Sequence, residues 1–342
     1  AQGGENGLRG HGGPVRAIIA LPDAATMVSG GFDSAIIVWD IATGAARRVL
    51  RIHDSTVNAL VPLADGCFAS GGEDAKIAIW CGDAPAPARL LEGHQGPIAA
   101  LAVSPDGQWL ASASWDRTLR LWPLQRPADP VRVVTEHAAP INGLAFTPDA
   151  AAIVSGSYAG QIRVTPLNGA PARQVQIAAA INGLALAPDG RIVATGADGR
   201  VRIFDLDLAV KTEIALPDGP LTAIAVSPDG RTIAAAGMRT PVTLIDVVSA
   251  QPKSRILGPG LPIWSLAFSR DGAGLFSGGA DRAVRRWDTA TGQPAGEAMS
   301  SPGDVLRARA NDPGARVFRA CAACHGITAD DTGRAGPSLH GI

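Results

Sequence analysis

A block of about 41 residues recurs along almost the whole chain and restricts the fold more than any other feature. Four segments share a run of small residues that ends in Asp, and in each of them a Trp follows six residues after the Asp. The equivalent position is occupied by Trp39, Trp80, Trp122, Thr165, Phe204, Ile245 and Trp287. The successive spacings are 41, 42, 43, 39, 41 and 42 residues. A period of roughly 40 to 45 residues predicts a propeller of four-stranded blades.

Each repeat predicts the same series of strands. An apolar strand leads through a turn to a strand of small residues, and a tight turn leads to an alternating strand. The first turn reads Pro22-Asp23, Asp65-Gly66, Pro105-Asp106-Gly107, Pro148-Asp149, Pro188-Asp189-Gly190, Pro228-Asp229-Gly230 and Asp271-Gly272. Pro presets φ in such turns, and Gly or Asp tolerates the tight backbone. The repeats therefore predict an all-β, seven-bladed β-propeller over residues 1–299.

Residues 11 to 299 resemble the WD-repeat family. Gly-His stands before the first strand at His11 and His94, and Trp-Asp ends the third strand at Trp39 and Trp287. The resemblance implies hydrogen-bonded tetrads of His, Ser, Asp and Trp. The matching sets are His11, Ser29, Asp33, Trp39; His53, Ser70, Asp74, Trp80; and His94, Ser112, Asp116, Trp122. Blades four to six depart from the pattern, and we expect them to depend more on apolar packing.

Ser, His and Asp in these sets could be taken for a hydrolase triad, but repetition argues against it. Nucleophilic catalysis needs one positioned set beside an oxyanion hole, whereas these residues recur at fixed offsets from a Trp. The four histidines before residue 300, His11, His53, His94 and His137, all fall at this framework position. We therefore expect an electron carrier or an interaction module rather than an enzyme.

Two features of the propeller stay open at this stage. Residues 6 to 9 are suited to an outer strand at the start of the ring, yet residues 293 to 299 could equally complete the last blade. Cys67 and Cys81 are expected to face each other across a hairpin, with a disulfide and two separately buried thiols as alternatives.

The C-terminal tail carries a different signal. Residues 300–311 are predicted to be a linker, loose enough to let the following module move. Cys321-Ala-Ala-Cys324-His325 follows, a motif in which two thiols attach to the haem vinyl groups and the His binds iron. A zinc half-site or a redox dithiol is the alternative. Zinc would need two further ligands, and a dithiol would need a βαβ setting, so haem c with His325 on the iron is favoured.

Residues 312–342 resemble class I cytochromes c. The match extends to Gly336-Pro337-Ser-Leu339 beyond the haem motif. The resemblance implies that the Pro337 carbonyl orients His325 and that Leu339 packs on the ring. The chain contains only Met27, Met238 and Met299, and none of them follows the motif to serve as the sixth ligand. We therefore expect an incomplete, small α-helical cytochrome c module.

Composition excludes some partners and suggests a compartment. The formal net charge is −1, and no basic run could follow a nucleic acid backbone. No apolar stretch reaches the roughly 18 to 20 residues of a membrane-spanning helix. The chain begins with Ala1, as a mature exported protein would after removal of a signal peptide. Covalent haem attachment implies the bacterial periplasm.

Electron transfer is the function that these features predict. The propeller would dock a redox protein or a membrane-associated electron-transfer complex, and haem c would carry single electrons. Two alternatives stay open: a non-catalytic scaffold subunit of a respiratory or photosynthetic complex, and a haem enzyme that acts on peroxide or a nitrogen oxide at an open sixth site.

Overall fold

Seven antiparallel sheets of four strands each are arranged in a ring in the computed structural model. The structure describes residues 8–217, 219–239, 241–258 and 261–295. The predicted linker at 300–311 and the predicted cytochrome module at 312–342 lie outside the described residues. Over the described residues the structure confirms the all-β, seven-bladed propeller.

The strands follow the repeat closely. The first strand of the chain is β1 (Leu8–Arg9). Blade 1 contains β2 (Val15–Ala20), β3 (Thr26–Gly31), β4 (Ala35–Asp40) and β5 (Ala46–Arg51). Blade 2 contains β6 (Val57–Pro62), β7 (Phe68–Gly72), β8 (Ile77–Trp80) and β9 (Arg89–Leu91). Blade 3 contains β10 (Ile98–Val103), β11 (Trp109–Ser114), β12 (Thr118–Pro123) and β13 (Arg132–Glu136).

The remaining blades repeat this order. Blade 4 contains β14 (Ile141–Phe146), β15 (Ala152–Ser157), β16 (Gln161–Pro166) and β17 (Arg173–Gln176). Blade 5 contains β18 (Ile181–Leu186), β19 (Ile192–Gly196), β20 (Arg200–Phe204) and β21 (Val210–Ala215). Blade 6 contains β22 (Leu221–Val226), β23 (Thr232–Gly237), β24 (Val242–Asp246) and β25 (Gln251–Ile256). Blade 7 contains β26 (Ile263–Phe268), β27 (Gly274–Gly279), β28 (Ala283–Asp288) and, at its outer edge, β1.

Small residues in the second strand of each blade let the next blade approach closely. A Cβ atom added to Gly71 would lie 2.5 Å from Cγ2 of Ile98 in the following blade. The same contact joins the last blade to the first, where a Cβ atom on Gly278 would lie 2.6 Å from Cγ1 of Val15. Burial of these aliphatic side chains between blades supplies part of the apolar core of the ring.

The described residues of both candidate segments meet the outer edge of blade 7, one at each end of β28. Leu8 and Arg9 pair with Val284 and Ala283 at one end of β28. At the other end Pro294 bridges to Trp287, and the Ala295 amide donates to the Arg286 carbonyl over 3.0 Å. In their described residues, both of the segments left open by the sequence therefore contribute to blade 7. The last described residue, Ala295, lies at the outer rim of this blade.

The tetrads predicted from the family resemblance are present in blades 1, 2 and 3. In blade 1, the Trp39 indole N–H donates to Ser29 Oγ over 2.7 Å, and Ser29 lies 2.8 Å from His11 Nε2. His11 Nδ1 lies 3.0 Å from the Asp33 carboxylate. Burial alone would raise the pKa of Asp33, but hydrogen bonds from His11 and from backbone N–H groups outweigh that effect and lower it. Each tetrad ties the third strand of its blade to the second strand, to the turn between them and to the segment before the first strand.

The departing blades divide into three cases. In blade 6, Ala235 and Ile245 take the Ser and Trp positions and are fully buried, as the prediction of apolar packing requires. In blade 5, Ala194 and Phe204 take these positions and are also buried. In addition, Arg202 bonds to both Asp198 and Glu213 and replaces the missing His. Arg carries the hydrogen-bond donors that bind a carboxylate, so it can perform the same role.

Blade 4 keeps half of a tetrad. His137 Nε2 lies 2.8 Å from Ser155 Oγ, but Ala159 stands where five of the other six blades have Asp. His137 is 5% exposed, and its Nδ1 atom has no hydrogen-bond partner. Burial, with a smaller effect from the nearby Arg163 charge, lowers the pKa of His137 to about 4. The site therefore lacks the carboxylate that would bond to His137 Nδ1.

A disulfide joins Cys67 and Cys81. The two residues flank the hairpin of β7 and β8, with Cα atoms 4.4 Å apart. The disulfide alternative from the sequence is therefore confirmed, and two separately buried thiols are excluded.

Candidate functional site

One position in each blade forms a ring around the mouth of the central channel. It is the residue that follows the second strand, and we call this set the mouth ring. It comprises Phe32, Glu73, Trp115, Tyr158, Ala197, Met238 and Ala280. The backbone N–H of each member donates to the carbonyl of the residue before the first strand of its own blade. That repeated bond holds all seven side chains at the same level of the ring.

Four members of the mouth ring are large and apolar yet exposed. Phe32, Trp115 and Tyr158 are 47%, 54% and 63% exposed, and Met238 is exposed as well. Scattered single apolar residues on a surface are ordinary, but a group of aromatic side chains around one cavity is typical of a protein-binding site. Aromatic side chains also dominate the residues that contribute most to protein association.

A second ring lies just inside the first. Every first strand contains a β-bulge at its second residue. We call these residues the bulge ring. They are Arg16, Asn58, Ala99, Asn142, Asn182, Thr222 and Trp264. Bulges often redirect a side chain at a binding site, and here the bulge residues line the channel mouth.

Side chains of the bulge ring connect neighbouring blades. The Asn142 amide donates to the Ile181 carbonyl over 2.8 Å, and the Asn182 amide donates to the Leu221 carbonyl over 2.8 Å. Arg16 in blade 1 donates to the Trp264 carbonyl in blade 7 over 3.3 Å. These bonds orient the inner side chains before any partner arrives, which lowers the entropy cost of binding.

The two rings enclose an open cavity of about 370 Å³. Phe32 and Trp264 contact each other on one wall, with ring centroids 5.2 Å apart. On the opposite side the Trp115 indole N–H donates to the Asn142 side-chain oxygen over 3.1 Å. The floor is polar and the rim is aromatic, an arrangement suited to an inserted side chain from another molecule.

The site residues predicted from the tail are not part of this cavity. Cys321, Cys324, His325, Pro337 and Leu339 all lie outside the described residues. Within the described ranges, no group of three or more His, Cys, Asp and Glu side chains is placed to hold a metal ion. The described part of the chain also contains no helix with the length and apolar character needed to cross a membrane.

Sequence reasoning missed the mouth ring, although a signal was present. The residue directly before the tetrad Asp is a solvent-facing turn position. Phe32, Trp115, Tyr158 and Met238 occupy it or its equivalent in four of seven repeats. Turn positions ordinarily favour small polar residues, so large apolar side chains there indicate a binding surface.

Six segments of the chain match the family model described as WD domain, G-beta repeat. They are residues 5–40, 44–81, 86–123, 128–165, 174–205 and 251–288, which together cover more than half of the chain. The chain belongs to the WD40 family. The first three strands of blade 6 of this WD40 propeller lie in an unmatched stretch, residues 206–250, and in this blade buried apolar residues take the Ser and Trp positions of the tetrad.

A curated protein with related sequence is F-box/WD repeat-containing protein 10 of Mus musculus. The two are 38% identical over 53 residues, which is 16% of this chain and 5% of the mouse protein. The chain therefore matches only a small part of that relative, and the similarity supports the repeat rather than any particular activity.

Proposed function

We propose that this chain docks a partner protein on the channel-mouth face of its propeller and carries in its tail a haem c that exchanges single electrons. The observation that carries the docking half is the set of exposed aromatic side chains, Phe32, Trp115 and Tyr158, around one cavity. WD40 propellers bind partner proteins, and this face is the part of the described ring with aromatic side chains gathered at its opening.

The redox half of the proposal rests on the sequence of the tail. Cys321, Cys324 and His325 supply the attachment and iron ligand that haem c requires, and Pro337 and Leu339 follow at the spacing of class I cytochromes c. Once bound, such a group supplies reversible one-electron chemistry. The partner would accordingly be a redox protein or a membrane-associated electron-transfer complex.

The proposed compartment is the bacterial periplasm. Haem attachment through two thiols takes place outside the cytoplasm, and the Cys67–Cys81 disulfide supports an oxidising environment independently of the tail.

A scaffold subunit of a respiratory or photosynthetic complex is the second candidate. The same aromatic face favours it, because docking through Trp115 and Tyr158 does not depend on a haem. The two candidates differ in whether the docked assembly needs the tail cysteines.

Site-specific photo-crosslinking in cells that produce the protein tests the docking half. A photoreactive phenylalanine analogue at Tyr158 should give a discrete adduct with one partner protein. The matched control is Val248, which is 86% exposed in the turn between the two outer strands of blade 6, β24 and β25, and does not line the cavity. Equal labelling from both positions, or no adduct from Tyr158, would contradict docking on this face.

A further inference from the structure

We infer that the cavity at the channel mouth accepts an acidic side chain, Asp or Glu, from a loop of the docked partner, with Arg16 as its countercharge. This inference rests on the proposed docking function and adds the chemistry that the docked segment must carry. It is argued from the charges, donors and shape of the cavity.

Arg16 is a cation without a carboxylate partner among the described residues. Its side chain lines both the mouth cavity and the channel below, and its one hydrogen bond, 3.3 Å to the Trp264 carbonyl, is long. A guanidinium has five N–H donors, so most of its capacity is unused. Burial lowers the pKa of Arg16, but an Arg side chain stays charged at physiological pH.

Two other arginines that are partly enclosed in the ring do have carboxylate partners. Arg202 bonds to Asp198 and Glu213, and Arg285 bonds to Asp281. A desolvated charge without a counterion is destabilising, and one long bond to the Trp264 carbonyl offsets only a small part of that cost. An anion supplied by another molecule would provide the missing interaction.

The surroundings of Arg16 suit a carboxylate rather than a second cation. Asn58, Asn142 and Asn182 line the same cavity. Asn142 and Asn182 each donate one amide N–H to the next blade, and each side-chain amide has a second N–H that a carboxylate can accept. The one carboxylate that lines it, Glu73, is exposed at the rim, where the Ser55 hydroxyl donates to it over 2.8 Å. Water screens an exposed charge of this kind, so its repulsion of an incoming anion is weak.

The shape of the site favours a protein segment over a free small anion. A small carboxylate could bond to Arg16, but it would leave the outward faces of Phe32, Trp115 and Tyr158 in water. A loop with an acidic side chain flanked by apolar residues would do both: its apolar residues would cover the aromatic side chains, and its acidic side chain would fill the cavity. We therefore commit to an acidic residue within an apolar loop of the partner.

The test starts with a library of short random peptides displayed on phage and selected on the full chain. We expect the selected peptides to share an Asp or Glu beside aromatic or aliphatic residues. One such peptide is then synthesised with Glu or Gln at the shared position, and its binding is titrated by calorimetry. On the natural chain the change to Gln should weaken binding about tenfold to a hundredfold, as expected for a charge-assisted hydrogen bond.

Variants of the chain then assign the effect to Arg16. With Arg16→Met the Glu and Gln peptides should bind about equally, whereas Arg16→Lys should keep a preference for Glu. Arg270→Gln is the matched control, because Arg270 also donates to a carbonyl across the seam between blades 7 and 1, at Pro22, but lies away from the cavity. Thermal melting of each variant shows that the ring is intact.

The outcomes separate this inference from the docking function. Neutral or basic peptides whose binding is abolished by Trp115→Ala would overturn the acidic preference and leave docking in place. Failure to select any peptide that depends on Trp115 or Tyr158 would count against the docking face and the inference together. Displacement of the peptide by glutarate at similar concentrations would identify a free carboxylate as the ligand and overturn the choice of a partner loop.

Discussion

Replacing Ala159 by Asp should stabilise the propeller, because it would complete the tetrad of blade 4. The neighbouring turn offers the required backbone, since Gly160 has a φ of 84° and the equivalent Ser34 in blade 1 has a φ of 59°. His137 Nδ1 and Arg163 Nε are both buried without partners. Gln161 lies near the imidazole but forms no hydrogen bond of normal geometry with Nδ1.

The size of the effect follows from these two groups. A buried polar atom without a partner costs about 1–3 kcal/mol, and a new carboxylate at this site must itself lose part of its hydration. We expect a net gain of about 1–2 kcal/mol near pH 8. For a domain of this size that corresponds to a rise in Tm of about 2–4 °C per kcal/mol.

The gain should grow as the pH falls. The pKa of His137 is lowered from 6.5 to about 4 by burial, so the unfolded chain takes up a proton before the folded chain does. The stability that comes from burying a neutral imidazole is therefore lost progressively as the pH falls from about 6.5 toward 4. At pH 5 the loss in the free energy of unfolding is about 2 kcal/mol. An Asp beside the imidazole should raise the pKa of His137 in the folded state and remove much of this loss of stability.

Urea denaturation at pH 8 and pH 5 measures both effects. Ala159→Ser is the matched control, because it changes the same site without adding a carboxylate. Asp116→Ala is the converse variant, since it removes the carboxylate 2.7 Å from His94 Nδ1 in blade 3 and should destabilise the ring. If Ala159→Asp is no more stable than Ala159→Ser at either pH, the reasoning about the incomplete tetrad is refuted.

Two further predictions concern the joints of the ring. Gly71→Ala should destabilise the propeller by about 1–3 kcal/mol, because the new methyl group meets Ile98. Urea denaturation should show a smaller penalty for the same change in an Ile98→Ala background. An unchanged penalty would argue against the close approach of the two blades. Removal of the disulfide by Cys67→Ser and Cys81→Ser should cost about 3 kcal/mol, as expected for a separation of 14 residues; equal urea midpoints with and without the bond would contradict this.

The repeat predicts the architecture well because each blade is specified locally. Asp33 and Trp39 lie on the same hairpin, so a fixed spacing is enough to identify their roles. The replacement of His by Arg202 was less visible, because Arg202 contacts Glu213 on the next strand, and a spacing rule based on His does not include that position. Ring closure by two separate segments also depends on where β1 and Pro294 meet β28, which no single repeat contains.

The mouth cavity could be predicted only in part. Its aromatic members stand one residue before a recognisable Asp, so their position in the blade follows from the repeat. Their proximity does not, because Phe32 and Trp264 are separated by most of the chain and meet only when the ring closes. The long hydrogen bond of Arg16 and its lack of a carboxylate partner likewise depend on which blades become neighbours.

The central claim is that one chain combines a docking propeller with a covalently held electron carrier. The most direct test is the intact mass of the full chain, purified under denaturing conditions after production in a periplasm that attaches haem c. The account predicts a polypeptide heavier by the mass of one haem, and the unmodified mass for the variant with Cys321→Ala and Cys324→Ala. An unmodified mass for the natural sequence, produced beside a control cytochrome c that does carry its haem, would contradict the claim.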